Sequence, residues 1–275
     1  MKYYIVDAFA DELFKGNQAG VCVLNEWPDS GLMQNISAEN NLAETAFVIK
    51  RGDHFDLRWF TPEVEMDLCG HATLAAAFVI SNFIDKNATD MRFHTKSGLL
   101  TVKKVRDLFE LDFPARKSRP ADITPGIAQA FPFPILEAHS SRDLILLVDS
   151  EGYVKNYAPD YDLLKQIPGS FAVVLTAKGS DADFVSRFFA PGAGIPEDPV
   201  TGSSHCSLIP FWSERLGKAK MVAKQLSRRS GTLFCENCGD RVKISGKAVL
   251  YLQGDININI QWAGNCTEGN NPCKA

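Results

Sequence analysis

Hydrophobic and polar residues alternate along much of this chain, and apolar runs with helical spacing interrupt the alternation. SGLMQNISAENN, at 30–41, has helical character and begins at Ser30, which suits an N-cap. An apolar helix follows the Cys69–Gly70–His71 turn and extends to about residue 84. The alternating pattern predicts early strands at residues 3–9, 19–24, 44–50 and 55–61. Together these elements predict a mixed α+β fold.

The second half of the chain repeats the order of the first. WFTPEVEMDLCGHATL (59–74) matches FFAPGAGIPEDPVTGSSHCSL (188–208), and SGLLTV (97–102) matches SGTLFC (230–235). Gly202 follows Gly70 by 132 residues, and Ser230 follows Ser97 by 133. Two matches at nearly the same offset indicate a fused pair of similar domains.

The repeat sets the expected domain organisation. We predict one domain at residues 1–118 and a second at 119–260, joined through the proline-rich stretch at 113–125. In the second domain we expect a helix from Gly202 to about Gly217 and then a meander of strands. The polar tail at 261–275 is expected to be disordered.

Composition narrows the classes of function. The chain has 275 residues, of which 45% are hydrophobic and 23% charged, which is a normal globular balance. Its net charge of -4 argues against a nucleic-acid or anionic membrane partner. The apolar runs are too short to span a bilayer, and the first residues contain no export signal, so we expect a cytoplasmic protein.

The seven cysteines are mostly scattered, which favours reduced thiols. Cys235 and Cys238 form a CxxC pair, which allows either a zinc site or a hairpin turn. The other candidate pair, Cys266 and Cys273, lies in the polar tail with six residues between them. This spacing favours the hairpin turn.

Two glycine turns, DLCGHAT and EDPVTGS, carry the candidate chemistry. Gly70 and Gly202 each begin an apolar helix, and glycine lets a ligand approach the backbone closely. The first turn of a helix has unpaired N–H groups and partial positive charge, so a carboxylate or phosphate could bind there. Ser203 and Ser204 could add hydroxyl donors, and His71 a ring N–H.

The alternative is that both turns are ordinary helix starts, capped by Asp67 and Thr201. Two similar turns with histidine and aspartate nearby favour a functional role. If the two helix starts face each other across a domain cleft, they would hold a small anion between them.

Three side chains near these turns could transfer protons. His71 is expected to be neutral, because a helix N-terminus disfavours the imidazolium. Asp198 lies just before the second helix, where it could also merely complement the helix dipole. Glu44 lies where a helix gives way to an apolar strand, and it is either a half-buried acid–base group or an ordinary edge residue.

Several motifs resemble those of the phenazine-biosynthesis PhzF-like family, within the diaminopimelate-epimerase-like superfamily. They are GNQAGV (16–21), NLAETAFV (41–48), FTPEVEMDLCGHATLAAAF (60–78), EDPVTGS (197–203) and GDRVKISGKAVLYLQGDI (239–256). The resemblance implies two domains of one fold, each a curved, mostly antiparallel sheet wrapped around a central helix. It also implies a site between them, a homodimer, and isomerisation by proton transfer without a metal or other cofactor.

The resemblance also assigns roles to residues of this chain. It makes Glu44 the general acid/base, with His71, Asp198 and Ser203 in the site. The other implied contacts to the substrate are Gly70 and Gly202, through backbone N–H groups, and Asn17.

Two positions depart from the family pattern. Gln18 stands where related sequences often have proline. Cys69 stands where the phenazine enzyme has another residue and where racemases have the first of two thiols. The matching position in the second half is Thr201, and Cys206 lies about one helical turn further on. A two-cysteine racemase is therefore disfavoured, because it needs a thiol on each face of the reacting carbon.

Three hypotheses remain. The first is an isomerase in which Glu44 moves a proton on a small carboxylic acid. The second is an amino-acid epimerase or racemase that uses Cys69 with Cys206 or Glu44. The third is a non-catalytic metabolite-binding protein that has kept the cleft.

Overall fold

The structure, a computed structural model, describes residues 1–169 and 171–258. The predicted tail at 261–275 lies outside the described residues, as do Cys266 and Cys273. The fold is α+β, as predicted: a mixed sheet with short helices between its strands. No helix in the described part of the chain is long and apolar enough to cross a membrane.

The first half contributes eight strands within residues 1–118: β1 (Lys2–Ala8), β2 (Asn17–Leu24), β3 (Glu44–Arg51), β4 (His54–Phe60), β5 (Glu65–Met66), β6 (Asp90–Thr95), β7 (Gly98–Val105) and β8 (Leu108–Pro114). The strands that follow are β9 (Arg119–Ala121), β10 (Glu137–Ser140), β11 (Leu144–Leu147), β12 (Val173–Lys178), β13 (Phe184–Ala190), β14 (Ile195–Asp198), β15 (Lys220–Gln225), β16 (Gly231–Asn237), β17 (Arg241–Gly246) and β18 (Ala248–Asp255). The helices are α1 (Ser30–Asn40), α2 (Gly70–Val79), α3 (Pro125–Ala130), α4 (Glu151–Asn156), α5 (Tyr161–Lys165) and α6 (Gly202–Leu216).

The pairing of strands repeats between the halves, which confirms the predicted duplication. In the first half, β1 and β2 are antiparallel, β2 and β3 parallel, β3 and β4 antiparallel, and β4 and β6 parallel. The second half has the same sequence of pairings from β10 to β15. Antiparallel hairpins, β6–β7–β8 and β15–β16–β17, complete each half.

The halves are joined edge to edge. Strand β8 is antiparallel to β17, with Leu111 opposite Ile244. These two residues are 133 positions apart, which matches the sequence repeat. Strand β18 continues past β17 and pairs with β1, just as β9 continues past β8 and pairs with β10. A domain boundary at 118/119 stays a prediction, and the proposed linker at 113–125 contains β9.

Each half packs its sheet against an apolar helix. In α2, the side chains from Ala72 to Ala77 have 0% exposure, and a helix that is apolar all round is expected to be buried. The helix extends through a π-helical turn at Ile80–Ile84, in agreement with the predicted end near residue 84. Helix α6 ends before Gly217, whose left-handed φ of 65° suits a glycine C-cap.

Some local predictions were wrong. Asp29, rather than Ser30, caps α1, because its Oδ1 atom accepts from the Gly31 amide at 2.8 Å. Cys69, rather than Asp67, occupies the N-cap of α2. Helices α3 and α4 were not predicted because each has six residues and too little periodicity. Strand β15 was also missed.

The CxxC pair forms a hairpin turn, as predicted. Cys235 lies buried in β16, whereas Cys238 is exposed in the turn before β17. The Cys238 amide donates to the Arg241 carbonyl at 2.9 Å, and Gly239 has a left-handed φ of 83°. The two cysteines therefore lie in a strand and in the hairpin turn that follows it.

Candidate active site

The N-termini of α2 and α6 meet where the two halves join. A Cβ atom added at Gly70 would lie 3.9 Å from the Cα atom of Gly202, and one added at Gly202 would lie 4.0 Å from the Cα atom of Gly70. The rings of Phe113 and Phe9 lie beside them, at 3.7 and 4.0 Å from the same added atoms. The junction therefore brings together the positive ends of two helices.

Glu44 and His71 lie together at this junction. Glu44 is the first residue of β3, and its Oε2 atom is 3.1 Å from Nε2 of His71, the second residue of α2. Their side chains are 13% and 7% exposed, so water screens the contact poorly. The angle at Nε2 is poor for a hydrogen bond to Glu44. The protonated ring and the carboxylate therefore form a close ion pair.

The other ring nitrogen of His71 faces two polar groups. Its Nδ1 atom is 3.6 Å from Sγ of Cys69 and 3.3 Å from Nδ2 of Asn17. The two hydrogens of the Asn17 amide are directed at other acceptors, described below. Asn17 therefore does not donate to Nδ1 of His71. A hydrogen on Nδ1 is instead directed at the thiol of Cys69.

The expectation of a neutral His71 is wrong. Burial by itself would lower the pKa of His71, but the negative charges of Cys69 and Glu44 raise it well above its ordinary value. Burial also raises the pKa of the Cys69 thiol. The pKa of His71 is raised because the neighbouring acidic groups, Cys69 and Glu44, together outweigh the effect of burial.

Asn17 connects the two halves of the site. Its Nδ2 atom donates to Oδ1 of Asp198 at 2.7 Å and to the Val200 carbonyl at 3.0 Å. The hydroxyl of Thr201 donates to the second oxygen of the same carboxylate, Oδ2, at 2.5 Å. Both oxygens of Asp198 are thus held by donors from different strands and turns.

Gln225, at the end of β15, fixes the turn before α6, and the sequence analysis did not identify it. Its Oε1 atom accepts from the Thr201 amide at 2.9 Å, while Nε2 donates to the Asp198 carbonyl at 2.7 Å and to the Thr201 hydroxyl at 3.1 Å. The side chain is fully buried. The alternation in KMVAKQ, which places a glutamine on the buried face, was the signal available in the sequence.

Burial also perturbs Asp198. Removal from water raises its pKa from 3.8 to about 6, although the charge on His71 and the hydrogen bond from Thr201 oppose the shift. Asp198 therefore titrates much closer to neutral pH than an exposed aspartate does.

Two hydroxyl groups of the second turn, those of Thr201 and Ser204, bond within the turn itself. Ser203 is the second residue of α6 and is half-buried. Ser204 donates its hydroxyl to the Thr201 carbonyl at 3.0 Å, so it stabilises the turn instead of offering a ligand donor. Thr201 is the N-cap residue, but its side chain makes no capping bond because it is bonded to Asp198.

Cys206 belongs to another environment. It is buried in the middle of α6, and its carbonyl accepts from the Arg116 amide at 2.8 Å. Burial raises the pKa of its thiol to about 11, against the opposing charge of Arg116. Cys69 instead groups with Glu44 and His71, whose reactive atoms all lie within 4.8 Å of one another. The same three donors could ligate a metal ion, and the expected absence of a cofactor stays a prediction.

The profile of the phenazine biosynthesis-like family (PhzC-PhzF) matches residues 6–254. The chain belongs to this family. An uncharacterized isomerase from Pseudomonas aeruginosa is 46% identical over 253 residues, which cover 92% of this chain and 97% of that protein. The family predicted from the sequence motifs is thereby confirmed.

Solved structures agree with the fold. A crystal structure of a putative phenazine biosynthesis PhzC/PhzF protein from Clostridium difficile has a TM-score of 0.90 at 54% identity, covering 94% of this chain and all of that one. A predicted epimerase from P. aeruginosa has a TM-score of 0.70 at 19% identity, with 94% of this chain and 99% of that chain covered, which shows the fold alone. The epimerase-like fold class is confirmed.

Proposed function

We propose that this protein is an isomerase that moves a proton on a small carboxylic acid without a cofactor, with Glu44 as the general acid/base. The observation that carries the proposal is the placement of Glu44 and His71, 3.1 Å apart, beside the two facing helix starts. Family relatives with isomerase names support the reaction class.

The substrate carboxylate would bind at Gly70 and Gly202. Neither residue has a side chain in the way, and the first turns of α2 and α6 offer unpaired N–H groups and partial positive charge. Donors from two helices favour a dianion or a carboxylate with a neighbouring polar group, and Ser203 would add a hydroxyl donor. The charged His71 would add further attraction for the anion.

Proton transfer would then proceed on one side of the substrate. The Glu44 carboxylate removes a proton from a carbon next to the π system of the bound acid, and the electron pair of that C–H bond enters this π system. Glu44 then delivers a proton to another carbon, so that a double bond moves and no electrons leave the molecule. Exchange of the Glu44 proton with water between the two steps carries deuterium into the product when the reaction runs in heavy water. The His71 imidazolium stabilises the negative charge that develops between the two steps.

Asp198, from the second half, and Asn17, from the first half, would together orient the substrate. Asn17 contacts both Asp198 and His71, so it fixes the distance between the two turns. Preorganised groups of this kind hold the reacting carbon close to Glu44. Asp198, with its raised pKa, could also relay a proton.

The alternative based on Cys69 fits the geometry less well. The reactive atoms of Cys69 and Glu44 lie within 4.8 Å of each other, and both residues belong to the first half. A racemase with two bases needs them on opposite faces of a carbon, and Cys206 has different neighbours. One proton-transfer centre favours an isomerase. The expected homodimer and cytoplasmic location stay predictions.

The test is Glu44→Gln, assayed by deuterium uptake from heavy water into a panel of cyclic and unsaturated carboxylic acids. Loss of a positioned general base costs about 10²- to 10⁴-fold in rate. We expect that loss, together with retained ligand-induced thermal stabilisation. Glu63→Gln is the matched control, because Glu63 is exposed. Normal deuterium uptake by Glu44→Gln would disprove the assignment of the base.

A further inference from the structure

Two histidines and an aspartate, which belong to none of the motifs discussed above, lie together on the outer face of the first-half sheet. Along β4, Phe55 and Leu57 point into the core, whereas His54 and Asp56 lie on the opposite, partly exposed face. His94 in β6 lies directly beside Asp56, because the two strands are parallel and these residues are in register. The fold therefore brings three metal-binding side chains onto one surface.

The three side chains have the separations expected of ligands to one ion. Their donor atoms all lie within 4.8 Å of one another, and Nε2 of His54 is 3.8 Å from Oδ1 of Asp56. Two ligands about 2.1 Å from one tetrahedral ion are about 3.4 Å apart, so a small rotamer adjustment suffices. The imidazole rings of His54 and His94 stack at 4.2 Å with an interplanar angle of 24°, so one ring has to rotate out of the stack for both to direct a nitrogen at the same ion.

Neighbouring charges support this arrangement instead of blocking it. Nδ1 of His54 is 3.3 Å from Oδ1 of Asp53, which leaves Nε2 as the ligating atom. Arg51 donates to Oδ2 of Asp56 at 3.2 Å, and Arg92 pairs with Oδ2 of Asp53. Each aspartate thus uses one oxygen for an arginine and keeps the other, Oδ1, directed at the histidine.

We propose that His54, Asp56 and His94 form a binding site for a first-row divalent transition metal ion, with Zn²⁺ as the best fit. Imidazole nitrogen and carboxylate oxygen are common Zn²⁺ ligands, and three protein ligands leave the fourth position to water. Hard ions such as Mg²⁺ and Ca²⁺, which prefer oxygen ligands, are excluded by the two imidazoles.

A bound ion would connect β4 to β6. These strands pair through two residue pairs, Phe55 with Phe93 and Asp56 with His94, so their direct contact is short. The proposed ion takes two ligands from β4 and one from β6, and it stabilises the folded state because the unfolded chain holds no such site. We expect Zn²⁺ to raise the thermal unfolding midpoint.

The experiment is calorimetric titration of the whole protein with ZnCl₂, together with absorption spectra of the Co²⁺-substituted protein. The variants are His54→Gln/His94→Gln, Asp56→Asn and Asp53→Asn, with His139→Gln as the control because His139 lies in the other half. We expect one site in the wild type, lost in the double variant and in Asp56→Asn. Asp53→Asn should weaken binding about tenfold, as expected for a group that orients a ligand, and His139→Gln should leave it unchanged.

The Co²⁺ spectrum separates this site from the Glu44–Cys69–His71 group. A site of nitrogen and oxygen ligands gives no thiolate-to-cobalt charge-transfer band, whereas coordination by Cys69 would give one. Zinc binding of equal affinity in the wild type and the His54→Gln/His94→Gln variant would overturn the proposal. So would a strong thiolate band in the wild type that survives in the double variant, since the ion would then be held by cysteine.

Discussion

The two glycine turns occupy equivalent positions in a duplicated fold, yet they carry different chemistry. At the N-cap, Cys69 in the first turn corresponds to Thr201 in the second. At the second helical position, His71 corresponds to Ser203. At these two positions, therefore, the first turn has groups that exchange protons, whereas the second has hydroxyl groups.

The strands beside the turns differ in the same way. Strand β3 begins with Glu44, whereas β12, which has the same place in the second half, begins with the buried residue Val173. A symmetric scaffold with an asymmetric set of side chains favours chemistry on one face of the ligand. The predictions below test this division, from the largest expected effect to the smallest.

The variants Gly70→Ala and Gly202→Ala test whether the substrate carboxylate binds at the backbone of the two helix starts, because neither change should disturb folding. The added methyl groups would meet protein atoms at 3.7 Å or more, which is ordinary contact, so both variants should fold. The same methyl groups would occupy the space of a bound carboxylate and cost about 10²- to 10³-fold in kcat/KM, comparable with the loss of an oxyanion donor.

Kinetics and circular dichroism check this pair of variants. Gly126→Ala, in α3, is the control because its Cβ would also meet only ordinary contact, at 3.9 Å. Equal activity of the two glycine variants and the wild type would show that the substrate does not approach these helix starts.

Asp198→Asn should change how stability depends on pH. The folded pKa of about 6 lies above the ordinary 3.8, so the folded state holds a proton that the unfolded state has released. Wild-type stability should therefore fall as pH rises from about 4 to about 6, by on the order of 3 kcal/mol relative to Asp198→Asn.

Urea unfolding at pH 4 and at pH 7 checks this prediction. The quantity compared is the difference in unfolding free energy between the wild type and Asp198→Asn at each pH. Asp149→Asn is the control, because Asp149 is exposed. Parallel changes in wild type and Asp198→Asn would mean that Asp198 titrates as an ordinary surface carboxylate.

Gln225→Ala tests the clamp that holds the second turn. It removes the partners of the Thr201 amide and the Asp198 carbonyl, so unfolding free energy should fall by about 1–3 kcal/mol. Thr95→Ala is the matched control at the corresponding end of β6, where the Thr95 hydroxyl bonds within its own hairpin. Equal losses of unfolding free energy in the two variants would show that Gln225 does not hold the second turn more firmly than Thr95 holds its own hairpin.

Cys69→Ser should have the smallest effect on turnover. If Glu44 alone moves the proton, the loss should stay well below the factor of about 10² that a missing acid–base group costs. Deuterium uptake by Cys69→Ser, with Cys206→Ser as control, measures it. A loss as large as that of Glu44→Gln would favour the epimerase alternative.

The sequence by itself determined the family, the repeat, the strand and helix periodicity of most elements, and the two glycine helix starts. These features are local, because residue spacing and backbone freedom act within one element. The motif residues named from the sequence do lie near one another, although their roles stay predictions.

Only the tertiary structure decided which groups meet and in what charge state. The bond from Asn17 to Asp198 joins residues 181 positions apart, and Gln225 lies in a strand that the sequence analysis missed. The charge of His71 was mispredicted because the helix start was considered without Glu44, which a different strand places 3.1 Å away. A pKa depends on the sum of burial and all neighbouring charges, and that sum exists only once the chain has folded.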